Sequence, residues 1–202
     1  MFEAIKHGLG NLLNFSGRDA RQAFWYYVLF VYLIMMAISM IVAVPMVLQG
    51  VMAGVQQGVA AGQSSDPLAA QKVAEAAITR TMTDTMVSMM WVGSATNLLM
   101  LLLLGASLVR RLHDSDLAGW WALIPGAMQA ANLFLAPAMV QRMMERMSQI
   151  QAGDPAAGMR GMQSSMSAAS LLGWCAILVV VALGIRQSTP GPNRYGEAPF
   201  TV

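Results

Sequence analysis

The fold is decided by a polar stretch between two apolar runs, Arg110-Arg111-Leu112-His113-Asp114-Ser115-Asp116. Residues 85–109 before it and residues 117–141 after it contain no Asp, Glu, Lys or Arg. A helix needs about 20 mostly apolar residues to cross a bilayer, so each run is long enough to span one. The stretch therefore predicts two spanning helices joined by a short polar turn at one membrane surface.

Two further charge-free runs, residues 22–65 and 161–185, extend this pattern to the rest of the chain. Of the 202 residues, 56% are hydrophobic and 11% are charged, whereas soluble domains carry about 25% charged residues. We therefore expect an all-α integral membrane protein that forms a single four-span domain over residues 1–202. The predicted spans are 24–47, 88–109, 118–139 and 167–186, followed by a tail at 187–202.

The N-terminal residues 2–14 have the pattern of an amphipathic helix, with apolar residues such as Phe2 and Leu9 on one face. Helices of this kind lie in the interface between lipid and water, and we expect an interfacial helix here. Ser16 and Asp19 then have the spacing of a capping box, which predicts that Ser16 caps a new helix leading into the first span.

The two connections on the opposite side are long and rich in Ala, Gln, Gly, Ser and Met. Each contains an Asp-Pro pair, Asp66-Pro67 and Asp154-Pro155, which is typical of a helix start with Asp as N-cap and Pro first in the helix. We expect helices to restart at these pairs and to run into spans two and four. The first of them, from Pro67 to about Thr85, should lie on the bundle or on lipid. The alternative for residues 50–65 is a mobile loop.

The distribution of Lys and Arg predicts the orientation, because these residues are enriched on the cytoplasmic side of short loops. Seven of the twelve fall on the side of the two termini and the polar stretch, and five on the other side. We therefore expect both termini in the cytoplasm. The seven are Lys6, Arg18, Arg21, Arg110, Arg111, Arg186 and Arg194.

Three segments spread over almost the whole chain resemble one known family. They are Phe15-Ser16-Gly17-Arg18 with Arg21, Phe24 and Trp25; Arg110-Arg111-Leu112-His113-Asp114 with Gly119, Trp120, Trp121 and Pro125; and Gly191-Pro192-Asn193-Arg194-Tyr195-Gly196 with Pro199. In order and type they resemble the domain-of-unknown-function family 805, small bacterial inner-membrane proteins of the YhaH type. The resemblance implies a four-span fold in the bacterial inner (cytoplasmic) membrane and no established activity.

The chain departs from that family in two respects. Asp116, Leu117 and Ala118 stand where the family usually has a Gly, a basic residue and a Ser, so a role of that basic residue does not carry over. Both outer connections are also longer than in compact members, which indicates an added outer layer.

The three segments supply the candidate site residues, all on the predicted cytoplasmic side. They are Arg18, Asp19, Arg21, Arg110, Arg111, His113, Asp114, Asp116, Trp120, Trp121, Asn193, Arg194 and Tyr195. The first hypothesis is a set of ion pairs that joins the helix ends and the tail, because Arg guanidiniums match carboxylates in bidentate pairs. The second is a binding site for anionic lipid headgroups or an acidic partner segment. The third is acid–base catalysis by His113 with Asp114 or Asp116, but no nucleophile motif accompanies these residues.

The composition favours a non-enzymatic role as a structural, lipid-organising or protein-interaction module. Membrane lipids are the expected partners, together with a homo-oligomer or a larger membrane assembly. The alternative is a small transporter or channel component, which would require Asn97, Gln129 and Asn132 to face one cavity.

No cofactor, metal or nucleic acid is expected to bind. Cys175 is the single cysteine, there are two His, and the basic residues form no run, so zinc-ligand pairs and a nucleic-acid patch are missing from the sequence. The 19 methionines favour adaptable apolar packing over a Cu(I) site built from thioethers.

Overall fold

The computed structural model describes residues 1–63, 67–151 and 171–199. In these ranges the chain forms helices joined by turns, with no β-strand, and the predicted all-helical fold is confirmed. A short 3-10 helix, Gly119–Ala122, precedes the fourth α-helix. The α-helices are α1 (Phe2–Gly10), α2 (Arg21–Gly62), α3 (Pro67–Asp114), α4 (Leu123–Gln151) and α5 (Leu171–Gly184).

Three segments of the described helices are long and apolar enough to cross a membrane, namely Arg21–Ala60, Gln71–Asp114 and Gly119–Arg142. They contain the first two predicted spans and all of the third except its first residue, 118. Helix α5 is a shorter apolar helix, and residues 167–170 of the fourth predicted span lie outside the described residues. Many large apolar side chains of these helices are exposed, Phe134 by 82%, as expected where lipid is the solvent.

Helices α2 and α3 form a hairpin that is longer than a bilayer is thick. At about 1.5 Å per residue, the 42 residues of α2 and the 48 of α3 extend about 63 Å and 72 Å, whereas a hydrocarbon core is about 30 Å thick. Each helix is therefore at least about twice as long as is needed to cross a hydrocarbon core. We call residues 47–62 and 67–89 the outer hairpin.

The outer hairpin corrects the predicted first outer connection. Residues 50–62 are helical, so the mobile-loop alternative is wrong for them. Helix α3 begins at Pro67 and continues through Thr85 into the second span, as predicted. In the other outer connection, α4 continues to Gln151. Asp66 and the pair Asp154-Pro155 lie outside the described residues.

Packing of α2 against α3 stabilises the helical conformation at Gly50, the first glycine of the segment 50–62. Each Gly costs a helix up to about 1 kcal/mol relative to Ala, and this cost is offset where the small residue lets two helices approach closely. A Cβ atom at Gly50 would lie 3.0 Å from Thr85 Oγ1. Tertiary packing therefore outweighs local propensity here.

Helix α1 packs on the first turns of α2 and ends earlier than the predicted residue 14. It stops at Gly10, and residues 11–13 form a turn. Gly8 is buried, because a Cβ there would lie 2.4 Å from Tyr27 Cδ2. Phe2 is 81% exposed and Leu13 88% exposed, so the apolar edge of this segment faces away from the protein.

The start of α2 differs from the predicted capping box. The helix begins at Arg21, five residues after Ser16, and Ser16 is exposed. Asp19 is 2% exposed, and its carboxylate bonds to Arg110, in a pair in which both partners are charged. One turn further, Tyr27 donates a hydrogen bond to the Leu103 carbonyl at 3.1 Å and joins α2 to α3.

Candidate functional site

Asp114, the last residue of α3, lies at the centre of a group of buried polar side chains. Its Oδ1 accepts a hydrogen bond from Arg18 Nη2 at 3.1 Å. Its Oδ2 accepts one from Arg111 Nη1 at 2.5 Å and another from Ser188 Oγ. One carboxylate therefore joins the segment before α2, the end of α3 and the segment after α5.

Arg111 attaches the end of α5 to α3. Its Nε donates to the Gly184 carbonyl at 3.0 Å, and its Nη2 donates to the Arg186 carbonyl. The last carbonyl groups of a helix have no partner within that helix, so the guanidinium supplies donors that the helix lacks. A Cβ atom at Gly184 would lie 2.8 Å from Phe24 Cε1 and 2.9 Å from Trp25 Cζ2, so the absence of a side chain lets α5 end directly against α2.

Arg18 holds the tail, residues 185–199, against the helix bundle. Its Nη1 donates to the carbonyls of Gly191 at 2.6 Å and Glu197 at 3.2 Å. Its Nη2 donates to the Thr189 carbonyl at 2.7 Å and to Thr189 Oγ1 at 3.0 Å, besides the bond to Asp114. This one guanidinium therefore fixes the backbone of the tail at several points.

Asp19 is the second buried carboxylate of the site. Both of its oxygens accept hydrogen bonds from Arg110 Nε at 3.0 Å. Ser107 Oγ donates to Oδ2 at 3.1 Å, and His7 Nε2 lies 3.0 Å from Oδ1. Asp19 therefore connects α3 with the segment before α2 and with α1.

Arg110 also reaches the backbone that follows α1. Its Nη1 donates to the carbonyls of Asn11 at 2.7 Å and Asn14 at 2.5 Å. The Asn11 side chain in turn donates to the His7 carbonyl at 2.9 Å. The turn after α1 is thus held by the same arginine that pairs with Asp19.

Five residues, Arg18, Asp19, Arg110, Arg111 and Asp114, form what we call the arginine–aspartate cluster. Each of them is at most 5% exposed. Two of their N–H groups, Arg18 Nε and Arg110 Nη2, are buried and have no acceptor among the described residues. Removing one partner from a buried ion pair costs about 3–5 kcal/mol, because the other charge stays buried without compensation. The cluster is therefore a strong constraint on the segments that it joins.

The comparison with known families agrees with the sequence motifs. A family model described as a protein of unknown function (DUF805) matches residues 12–197. The chain belongs to the DUF805 family. No curated protein and no solved structure matches it. The residues that match the family model include the whole arginine–aspartate cluster and the tail as far as Glu197, whereas α1 precedes them.

In this DUF805 chain the tail forms a second layer over the polar stretch. The Tyr195 ring stacks on the His113 ring, with centroids 3.9 Å apart and planes 6° from parallel. Asn193 Nδ2 donates to the His113 carbonyl at 2.9 Å. Arg194 pairs with Asp116 at 2.9 Å, but both of these side chains are about half exposed. This layer covers the polar stretch and contributes less buried charge than the cluster beneath it.

Three of the thirteen sequence-predicted residues lie apart from both layers. Arg21 is exposed at the start of α2. Trp120 and Trp121, 56% and 37% exposed, stack on each other with centroids 4.4 Å apart. Their position in the 3-10 helix before α4 is typical of aromatic residues at a membrane interface.

Several residues that complete the site were not singled out from the sequence. Ser107 precedes Arg110 and Asp114 at helical spacings of three and seven, so its position on the same face of α3 was a usable signal. His7 lies in the amphipathic segment, and its spacing from Asp19 gives no sign that the two side chains meet. Ser188 and Thr189 belong to no motif, and their contacts with Asp114 and Arg18 carry no sequence signal.

A groove of about 510 Å³ lies between the two helices of the outer hairpin. It is lined by Val, Gly, Thr and Met, including Met86 and Met89. No group of three His, Cys, Asp or Glu in the described part of the chain could hold a metal ion. The side chains of Met82, Met143 and Met147, considered for Cu(I), lie outside the described residues.

Proposed function

We propose that the chain is a non-enzymatic structural and protein-interaction module of the bacterial inner membrane. Its arginine–aspartate cluster lies at the cytoplasmic end and holds both terminal segments on the helix bundle. Its outer hairpin extends from the opposite side of the membrane and contacts other protein chains. The single observation that carries this proposal is the use of the three buried guanidiniums, which bond to the backbone of three different segments.

The contacts of these guanidiniums favour bracing over ligand binding. Arg110 holds the turn after α1, Arg111 holds the end of α5, and Arg18 holds the tail. Their other strong bonds go to Asp19 and Asp114. An anionic ligand would have to displace these bonds from groups that are at most 5% exposed. The bonds of the cluster therefore stabilise the contacts between segments of the chain.

The surface of the outer hairpin supports the interaction part of the proposal. Val51, Val55 and Val59 are each 57% exposed, and Met52 is 58% exposed. By the length of α2, these residues lie at or beyond the far edge of a 30 Å hydrocarbon core, as estimated from the usual thickness. Exposed apolar patches outside lipid mark protein interaction surfaces. A homo-oligomer or a larger membrane assembly would cover this surface.

The contacts of the polar residues within the spans do not favour a transporter. Asn132 Nδ2 donates to Gln129 Oε1 at 3.3 Å within the same helix, so these two side chains bond to each other locally. The groove between α2 and α3 lies in the outer hairpin and its lining is apolar. The catalytic alternative has no more support, because the His113 ring is stacked against Tyr195.

Hydrogen–deuterium exchange of three single variants in lipid nanodiscs tests the bracing role. We expect Arg110→Gln to increase exchange in residues 2–14, Arg111→Gln at the end of α5, and Arg18→Gln in residues 188–197. Arg80→Gln, at an exposed position of the outer hairpin, is the matched control and should change none of them. Uniform exchange changes in all three variants would contradict the assignment of one arginine to one segment.

Orientation and assembly need separate measurements. In a Cys175→Ser background, Gln187→Cys should react with a membrane-impermeant maleimide only when the cytoplasmic face is opened, and Gln63→Cys should react in intact cells. Native mass spectrometry from nanodiscs should show an oligomer or a bound partner chain. Labelling in the reverse pattern would contradict the orientation, and a monomer without partners would contradict the interaction role.

A further inference from the structure

Two arginines at the polar end of the bundle are exposed and have no bonding partner. Arg21 stands at the first position of α2, and Arg186 follows the last turn of α5. Neither guanidinium has a hydrogen bond or an ion pair with any residue in the described ranges. They differ in this from Arg194, the other exposed arginine at this end, which pairs with Asp116.

The structure brings the two arginines to the same side of the bundle. The end of α5 packs directly against the start of α2, where a Cβ atom at Gly184 would lie 2.9 Å from Trp25 Cζ2. Arg111 is close to both ends, because its guanidinium bonds to the Arg186 carbonyl and its charge interacts with that of Arg21. Residues separated by more than 160 positions in the sequence thus lie at the ends of two helices that pack against each other.

The local charge at this point is unbalanced. The arginine–aspartate cluster contains three arginines and two aspartates, and Arg21 and Arg186 raise the count to five arginines against two aspartates, an excess of three positive charges. An anion bound at the exposed guanidiniums would reduce this excess of positive charge. Phosphate oxygens match the planar donors of guanidinium groups.

We propose that Arg21 and Arg186 together bind the phosphate of an anionic membrane lipid. Trp25 belongs to the aromatic group at the start of α2, and Trp residues at this depth lie at the level of lipid headgroups. Both arginines adjoin the ends of apolar helices, so a lipid phosphate reaches them without leaving the interface. This site is separate from the arginine–aspartate cluster, whose guanidiniums are occupied by protein, and the bracing role does not depend on it.

The test uses the full chain in nanodiscs that contain equal amounts of phosphatidylglycerol and phosphatidylcholine, with retained lipid measured by native mass spectrometry. The wild type should retain phosphatidylglycerol preferentially. In the variant Arg21→Gln with Arg186→Gln, affinity should fall about thirtyfold, since each arginine near an anionic surface contributes about a fivefold effect. Excess inorganic phosphate should not displace the lipid.

The matched control is Arg80→Gln with Arg142→Gln, which removes two exposed arginines from the far side of the molecule. It should retain phosphatidylglycerol as the wild type does. Equal retention in the Arg21 and Arg186 variant, equal loss in the control, or displacement by inorganic phosphate would each overturn the proposal. Hydrogen–deuterium exchange of residues 188–197 should be unchanged in both double variants, which separates this result from failure of the brace.

Discussion

Arg18 and Asp114 are separated by 96 positions in the sequence, and their side chains meet at 3.1 Å with at most 1% of either exposed. The same carboxylate binds Arg111. One aspartate therefore compensates two buried guanidiniums, and it also accepts a hydrogen bond from Ser188 of the tail.

Replacement of Asp114 by Asn should strongly destabilise the protein. The change leaves Arg18 and Arg111 buried without their counter-ion, and we expect a loss of about 3–5 kcal/mol in the free energy of unfolding. An SDS titration of detergent-solubilised protein measures it. Asp116→Asn is the control, because its pair with Arg194 is half exposed and should contribute no more than about 1 kcal/mol. Equal losses in the two variants would show that burial of an ion pair does not determine its contribution to the free energy of unfolding.

Substitution of Gly8 by Ala should displace α1 from α2. The new Cβ would lie 2.4 Å from Tyr27 Cδ2, and overpacking of this kind costs about 1–3 kcal/mol. Hydrogen–deuterium exchange of residues 2–10 should increase. Gly10→Ala serves as the control, since no atom lies within 4 Å of its Cβ position. Unchanged exchange in Gly8→Ala would mean that α1 does not pack on Tyr27.

A disulfide should form across the outer hairpin between Gly50→Cys and Thr85→Cys in a Cys175→Ser background. The Cβ position at Gly50 lies 3.0 Å from Thr85 Oγ1, and disulfides need a Cβ separation of about 3.5–4.5 Å. Mass spectrometry after oxidation measures the bond. Gly58→Cys with Thr85→Cys should not cross-link, because nothing lies within 4 Å of Gly58. Cross-linking in both pairs, or in neither, would contradict the packed hairpin.

Truncation of Tyr195 to Ala should loosen the tail, whereas Tyr195→Phe should not. The His113 and Tyr195 rings are stacked at 3.9 Å, and an aromatic pair contributes about 0.5–1.5 kcal/mol beyond its buried area. Protease accessibility of residues 188–197 is a direct readout. If Phe at this position loosened the tail as much as Ala does, the ring stack would not be the stabilising contact.

The membrane-spanning segments could be predicted because lipid imposes a simple requirement on sequence. Charged groups are costly in hydrocarbon, so residues 85–109 and 117–141 are free of them. The first run lies in α3, and the second, from residue 119 onward, lies in the 3-10 helix and α4. The ends of the helices depend instead on packing between helices. Nothing in residues 50–62 distinguishes a loop from a helix that is stabilised by packing, so the outer hairpin was missed.

The partners within the site could not be predicted from one sequence. Asp19 has the spacing of a helix cap. Its role as the partner of Arg110 depends on the packing of α3 against the segment before α2. Arg18 was identified as a candidate, but the acceptors in the tail are backbone carbonyls, which every residue carries. A contact between a side chain and a distant backbone carbonyl does not depend on the residue type of the acceptor, so it leaves no pattern in the sequence.

The contacts of Arg18 with the tail have a consequence for synthesis of the chain. Residues 189–197 supply the acceptors of this arginine, and the ribosome adds them after all the described helices have been made. Arg18 and Asp114 must therefore keep part of their bonding capacity unused until residues 189–197 have been synthesised. The polar end closes only after the helices are made, and a nascent chain that stops before residue 189 cannot complete it.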